Sequence, residues 1–332
     1  AIFTTMNNLS GGNYKVLKTL RYFPRDKYVL IMPKNRKAEM INITNKTLGE
    51  IPSFIQDSYE AKDMRSGDPL YYIRYGIYIG KIAKELNVDM LYFPHEHTYL
   101  PLGFKLSRVK WTELLQTTPA VGALTIEDGH GFLLFLKNMR NNFNYGAWKA
   151  VKGYARLKLF SMAISDTPLL AVSRSIPYEL SKLGVRVDVR VVDPGIGVDP
   201  CPYAGNSDRP YDVVFFARIT PEKGIFDFLS VVKELVNWKR DLRAIAMGFA
   251  SEDTASEVRR MAVELGIVNN IDFRFNAPRD EALRLLASSK VMVYPTRLDA
   301  FPLAVLEALS CGTPVIAYAI PAIRLNYGAT RD

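Results

Sequence analysis

The chain has 332 residues, 48% hydrophobic and 23% charged, which suits a globular protein long enough for two domains of ordinary size. No apolar run reaches the roughly 18 residues that a membrane-spanning helix needs, and no signal-peptide pattern is visible. The net charge of +9 is uneven: residues 1–195 hold 27 Lys+Arg against 17 Asp+Glu, residues 196–332 hold 16 against 17. The excess points to an anionic partner of the first half, such as a membrane surface, a phosphorylated lipid or nucleic acid.

The chain opens on an extended run, Ala1 to Thr5, as if shortened at that end. Asn7-Asn8-Leu9-Ser10-Gly11-Gly12 follows, then a helical pattern with Val16, Leu17 and Leu20. A glycine pair between strand and helix lets a backbone approach a ligand closely, or marks a tight turn. Tyr28 to Met32 reads as a strand, 34–70 as irregular and polar, Tyr71 to Leu86 as a helix and Val88 to Phe93 as a strand. That strand ends at Pro94-His95-Glu96-His97. The two histidines find no convincing third metal ligand, so lining a cleft floor, on the acceptor side, is the better reading.

Leu100 to Trp111 is basic and apolar, and Ala120 to Ile126 reads as a buried strand ending at Glu127-Asp128-Gly129-His130. Its two acids could do polar work or simply cap the next helix. Between Gly129 and Ser165 there is no acid, and 137–160 interleaves Lys137, Arg140, Lys149, Lys152, Arg156 and Lys158 with aromatics. Such a segment suits an anionic lipid surface or a solvated helix, and nucleic acid less well. Leu169 to Ser173 reads as a strand, Ile176 to Leu183 as a helix and Val187 to Val192 as a strand. The proline- and glycine-rich stretch Asp193 to Pro200 reads as an interdomain hinge, with closure near Gly195 and Gly197. It divides the chain into domains 1–195 and 196–332.

Cys201 and Cys311 are too few and too scattered for a disulfide framework or a metal site, and are expected as reduced thiols of a cytoplasmic protein. The second half alternates strands (Asp212 to Phe216, Leu242 to Met247, Ile271 to Phe275, Lys290 to Tyr294) with helices (Phe226 to Leu235, Thr254 to Leu265, Asp280 to Ala287). That alternation predicts an open parallel α/β sheet. Arg218 and Lys223 follow the first of these strands, where two cations can neutralise a diphosphate or merely face solvent. After the last strand, Asp299 sits in the loop and Glu307 one turn into a helix from Leu303 to Cys311, which Gly312 and Pro314 stop. The amides at Phe301, Leu303 and Ala304 have no intrahelical acceptor and suit a phosphate; Pro302 has no N–H to lose. From spacing alone, a surface acid plus a helix-dipole acid is the plainer account.

Asp299, seven residues, Glu307 and then Ala308-Leu309-Ser310-Cys311-Gly312-Thr313-Pro314-Val315-Ile316-Ala317 resembles the signature of retaining GT-B glycosyltransferases of family 4, the glycosyl transferases group 1. The usual first residue is Glu, so Asp299 is a departure. The resemblance implies two Rossmann-like domains with parallel sheets facing across a cleft: 1–195 for the acceptor and 196–332 for the nucleotide sugar. It implies transfer of a sugar from a UDP-, GDP- or ADP-linked donor to a lipid-linked or soluble glycan with retention, without a metal or other cofactor. Donor-side residues would be Gly11, Gly12, Arg218, Lys223, Asn276, Ala277, Asp299, Phe301, Pro302, Leu303 and Glu307. Arg218 and Lys223 would stabilise the leaving diphosphate, Glu307 would hold the ribose and Asp299 the sugar. Glu127 stands where the family has a histidine, so Glu127, Asp128 or His130 would take that role. The family's final helix and the segment crossing back to the first domain are expected but absent from the sequence. An inverting transferase, a sugar-nucleotide epimerase and a non-catalytic basic protein for membrane or nucleic acid are the alternatives. Localisation is expected in the cytoplasm, with peripheral attachment to the inner membrane face as the variant of that expectation.

Overall fold

The computed structural model describes every residue except 8–10, 144–146, 193–197, 199, 206–207 and 329–332. The expected hinge residues Gly195 and Gly197 thus lie outside the described residues. The chain divides into two compact units, Ala1–Gly197 and Val198–Asp332.

In the first unit, strands β1 (Ile2–Phe3), β2 (Leu30–Pro33), β3 (Tyr59–Ala61), β4 (Leu91–Phe93), β5 (Trp111–Leu115), β6 (Leu169–Ala171) and β7 (Val189–Val191) form one parallel sheet. Their order is β3-β2-β1-β4-β5-β6-β7. Helices α1 (Gly11–Tyr22), α2 (Lys34–Leu48) and α3 (Ser53–Gln56) cover one face, where Val16, Leu17, Leu20, Met40, Phe54 and Ile55 meet Ile2, Leu30 and Met32. On the other face Phe3 stacks on Phe93 at 5.5 Å and meets Tyr75 of α4 (Pro69–Glu85) and Phe104 of α5 (Leu100–Leu106). Helices α6 (Gly131–Phe143) and α7 (Ala147–Ile164) precede β6, and α8 (Ser175–Lys182) follows it.

Three expectations fail in this unit. Residues 34–70 are largely ordered elements, α2, α3 and β3, rather than irregular chain. The inner stripe of α2 is Lys37, Met40 and Thr44, so burial falls on polar residues and the apolar period disappears from view. Lys37 is tolerated there because its ammonium donates to Ser58 O at 3.1 Å and pairs with Glu60. Second, 120–126 is not a strand. The chain turns at Ala120 (φ +65°) and Gly122 (φ +80°), and Val121, Ala123 and Leu124 are buried as a loop. The buried amide of Asn138 on α6 bonds Thr125 N and Ala123 O, supplying partners that a sheet would have given. Third, the strand at that place in the sheet is β5, concealed in sequence because its centre is the fully buried Glu113.

In the second unit β8 (Tyr211–Phe216), β9 (Ala244–Gly248), β10 (Ile271–Phe275), β11 (Ser289–Tyr294) and β12 (Val315–Ala317) form a parallel sheet in the order β10-β9-β8-β11-β12. Alternate residues face opposite layers. Val213, Phe215, Ala244, Ala246 and Val293 pack on α9 (Ile225–Trp238) and α10 (Glu252–Glu264). Val214, Ile245, Met247, Met292 and Tyr294 pack on α11 (Arg279–Ala287) and α12 (Leu303–Ser310). In α9 the buried set Ile225, Phe228, Leu229, Val232 has the i, i+3, i+4, i+7 spacing of a single stripe. A final helix, α13 (Pro321–Tyr327), follows β12.

The cysteines correct the expectation of free thiols: Cys201 and Cys311 form a disulfide, with Cα atoms 5.0 Å apart across 110 residues of sequence. Separation along the chain says nothing about separation in the fold, and both residues are buried in the layer between β11 and α12. Among the described residues no helix is long and apolar enough to cross a membrane.

Candidate functional site

Both sheets reverse their strand order once, between β1 and β4 and between β8 and β11. Beyond the carboxyl ends of the strands at such a point the two adjoining loops diverge and leave a crevice for ligand.

In the second unit these loops are 217–224, after β8, and 295–302, after β11. Gly224 (φ +81°) lies so close to Pro295 that a Cβ there would sit 2.0 Å from its carbonyl oxygen, and Arg297 N donates to Glu222 O at 3.0 Å. The contact brings Lys223 to the acid expected across from it: its ammonium meets Asp299 Oδ2 at 2.6 Å and Leu298 O at 2.9 Å. The phenol of Tyr294 donates to the same Asp299 oxygen at 2.8 Å, and burial raises that phenol's pKa well above its ordinary value. Lys223 and Asp299 are only 11% and 14% exposed, so their attraction acts in a poorly screened setting. Arg218 is exposed, with no side-chain hydrogen bond or ion pair among the described residues. Between them Thr220 Oγ1 is buried without a hydrogen-bond partner, a donor awaiting an acceptor.

Pro302 is the N-cap of α12, which starts where the loop after β11 ends, and its first-turn amides have no intrahelical acceptor. Phe301 and Leu303 flank it, half-buried. Glu307 is buried one turn on, and its Oε1 pairs at 2.6 Å with Arg279, the first residue of α11. Asn276 takes a left-handed conformation (φ +58°) beside the half-buried Ala277, and its side-chain amide exchanges hydrogen bonds with the backbone of Ala250. The backbone at Gly248 (φ +145°) approaches Ala217 so closely that a Cβ would lie 1.6 Å from its oxygen. The loops after β8, β9, β10 and β11 are therefore knitted into one rim. Sequence reasoning missed Arg279, Tyr294 and Thr220; a cation at the first position of α11 was visible, but its partner was not.

In the first unit Gly11 and Gly12 open α1. His95 and His97 follow β4. Thr4 Oγ1 lies 2.7 Å from His95 Nε2 across the switch point, and His97 Nδ1 accepts the amides of Tyr99 and Leu100 at the start of α5. Burial lowers both imidazole pKa values to about 4, so both rings are neutral at pH 7. Glu96 accepts from Thr117 Oγ1 and Gln116 N, and burial raises its pKa. Glu113 accepts His97 N at 2.8 Å, and burial holds its pKa well above the usual range. Glu179 of α8 accepts Thr118 Oγ1, and burial pushes its pKa up to about 8. The acids and histidine expected after a strand at 120–126 sit instead in the loop before α6. Glu127 accepts the hydroxyl of Tyr178, while Asp128 and His130 are exposed. The loop that does leave a strand there is Gln116-Thr117-Thr118, after β5.

Comparison with known proteins bears on this geometry. Residues 204–325 match the family model described as Glycosyl transferases group 1. A D-inositol 3-phosphate glycosyltransferase of Frankia alni is 27% identical over 189 residues, 54% of this chain and 46% of that protein. That of Corynebacterium efficiens is 32% identical over 109 residues, 32% of this chain and 26% of that protein. The matches thus span less than half of these relatives' length. Among solved structures, Anabaena HepE in complex with UDP superposes with TM-score 0.65 at 16% identity, covering 95% of this chain and 79% of that one. Sucrose-phosphate synthase of Thermosynechococcus elongatus gives 0.62 at 12% identity, covering 97% and 82%. These neighbours share the GT-B fold, of which the two parallel-sheet α/β domains described above are the parts.

Proposed function

We propose that this protein is a glycosyltransferase that moves a sugar from a nucleoside diphosphate donor to an acceptor hydroxyl, with retention at the anomeric carbon. The observation that carries the reading is the meeting of Lys223, Asp299 and the start of α12 at the β8/β11 switch point, inside the stretch that matches the glycosyltransferase family model.

In the reaction the bond between the anomeric carbon and the distal phosphate oxygen breaks, and its electron pair stays on the diphosphate. The acceptor oxygen forms the new bond on the same face, and its proton passes to the departing phosphate. The growing negative charge is met by Lys223, Arg218 and the α12 amides, the principal electrostatic contribution in such a site. These groups fill the role that a metal ion plays elsewhere, and the proposed reaction is metal-independent. Arg279 steadies Glu307, which takes the ribose hydroxyls, and Asp299 reaches the transferred sugar while aligning Lys223. Neighbouring structures hold UDP, which makes a uridine donor the first to test, with GDP and ADP beside it. The acceptor is a lipid-linked or soluble glycan.

One observation favours membrane contact as a second property. Trp148, Val151, Ala155, Leu159 and Met162 form an exposed stripe along α7, flanked by Lys152, Arg156 and Lys158. An apolar stripe between cations suits the headgroup boundary of an anionic leaflet.

A thermal-shift panel of nucleoside diphosphates and nucleotide sugars tests the main reading, because a bound ligand raises the melting temperature by mass action. One nucleotide family should stabilise the parent, and Arg218→Ala or Glu307→Ala should abolish the response. Variants that respond like the parent would show the site to be misassigned.

A further inference from the structure

Eight phenylalanines lie in the second unit, and Phe249 alone among them is exposed, at 70%. A single exposed apolar side chain is ordinary; the setting of this one is not. Past the last paired residues of β8 and β9 the ladder continues, with Ala217 N on Met247 O and Ile219 N on Phe249 O. On the other side Asn276 N donates to Gly248 O. Arg218, Phe249 and Asn276 therefore stand side by side at the carboxyl ends of β8, β9 and β10. Ile219 and Ala250 pack in the core under α9 and α10. By the alternation of strand residues, Arg218 and Phe249 face the opposite layer, that of α11 and α12, where Arg279 meets Glu307. The backbone that carries the ring is fixed: Gly248 abuts Ala217, and Asn276 exchanges two hydrogen bonds with the backbone of Ala250. A rigid pedestal thus holds a largely bare ring at the rim.

We propose that Phe249 is the platform on which the base of the donor nucleotide stacks, an assignment that rests on the transferase reading above. Arg218 and Lys223 follow β8; Asp299 follows β11 on one side of them and Phe249 follows β9 on the other. A donor whose diphosphate lies on the two cations, with its transferred sugar toward Asp299, carries its nucleoside toward α11 and Phe249. A flat heterocycle suits an immobile phenyl face, and a ring already held in place loses little freedom on binding. Every base has a π-face, so the stack is tolerant of base identity. Phe249 then supplies affinity for a nucleotide over bare pyrophosphate and leaves the choice among bases to other groups. A lipid or protein partner fits the ring less well, because one phenyl between the exposed Arg218 and Asn276 is far smaller than the apolar patch such partners cover.

The test is calorimetric titration of the full chain with UDP, GDP, ADP and pyrophosphate. The parent should bind at least one of the nucleotides about fivefold or more tightly than pyrophosphate. Phe249→Ala should melt at the parent's temperature, because the ring is exposed, yet lose about fivefold or more in affinity for that nucleotide and none for pyrophosphate. Phe249→Tyr should restore the affinity. In Phe249→Trp the added indole fluorescence should be quenched by the nucleotide and not by pyrophosphate, a signature of contact that a purely structural role does not give. Nucleotide affinity unchanged in Phe249→Ala, an equal loss for pyrophosphate, no recovery in Phe249→Tyr or no quenching in Phe249→Trp would overturn the proposal and leave the transferase reading in place. A parent that binds none of the three nucleotides would overturn both together.

Discussion

Replacing Asp299 with Asn separates the structural from the ligand-binding role of the Lys223 pair. At 2.6 Å the gross attraction is about 6 kcal/mol for an effective dielectric of about 20, before the cost of desolvating both groups. Removing one partner of a buried pair costs about 3–5 kcal/mol, chiefly because the other charge is stranded. Asn keeps the volume and an acceptor for Lys223 and Tyr294, and the pair is slightly exposed, so about 2–3 kcal/mol is expected here. For a unit of this size that corresponds to a fall in melting temperature of roughly 6–9 °C. A nucleoside diphosphate should then raise the melting temperature of Asp299→Asn by more than it raises the parent's, because its phosphates return the anion that Lys223 lost. Scanning calorimetry with and without UDP, GDP and ADP reads both effects. A melting temperature equal to the parent's, or a nucleotide-induced rise no larger than the parent's, would refute the reasoning.

Closing a loop of 110 residues, the Cys201–Cys311 disulfide should contribute about 4–5 kcal/mol by restricting the unfolded chain, so a Cys201→Ala, Cys311→Ala variant should melt well below the oxidised parent. An oxidised parent that melts with that variant would contradict the disulfide. Glu179, whose folded pKa is about 8, binds a proton in the folded state that the unfolded chain has released; its share of stability is full below pH 4.5 and is lost as pH rises toward 8. Glu179→Gln should therefore gain stability relative to the parent between pH 5 and about pH 9 in urea unfolding. His95 and His97 act in the other direction: their folded pKa values near 4 lie below the unfolded value, so stability falls as pH drops from 6.5 through 4, and a His97→Gln variant should show a shallower acid slope. Gly224→Ala should cost about 2 kcal/mol or more and blunt the nucleotide response, since its Cβ would collide with Pro295 O and its φ is left-handed; a variant as stable and responsive as the parent would remove that contact from the site.

The second unit was legible because its strands are short, mostly apolar runs alternating with helices that bury regular stripes. Arg218, Lys223, Asp299 and Glu307 stand next to such boundaries, but spacing alone favoured plain surface charges, and it was the resemblance to the glycosyltransferase signature that singled them out. The first unit resisted where burial fell on polar residues: Lys37 and Thr44 inside α2, Glu113 inside β5. It misled where apolar residues 120–124 were buried in a turn. Local pattern, then, determined which segments are strands and helices and which ends of them carry charge. Only the tertiary fold decided who meets whom: Lys223 with Asp299, Arg279 with Glu307, and Cys201 with Cys311. The pairing of distant residues depends on the order in which strands enter the sheet, a long-range property absent from any local window, and the same packing sets the solvation that determines the protonation of Glu179, His95 and His97.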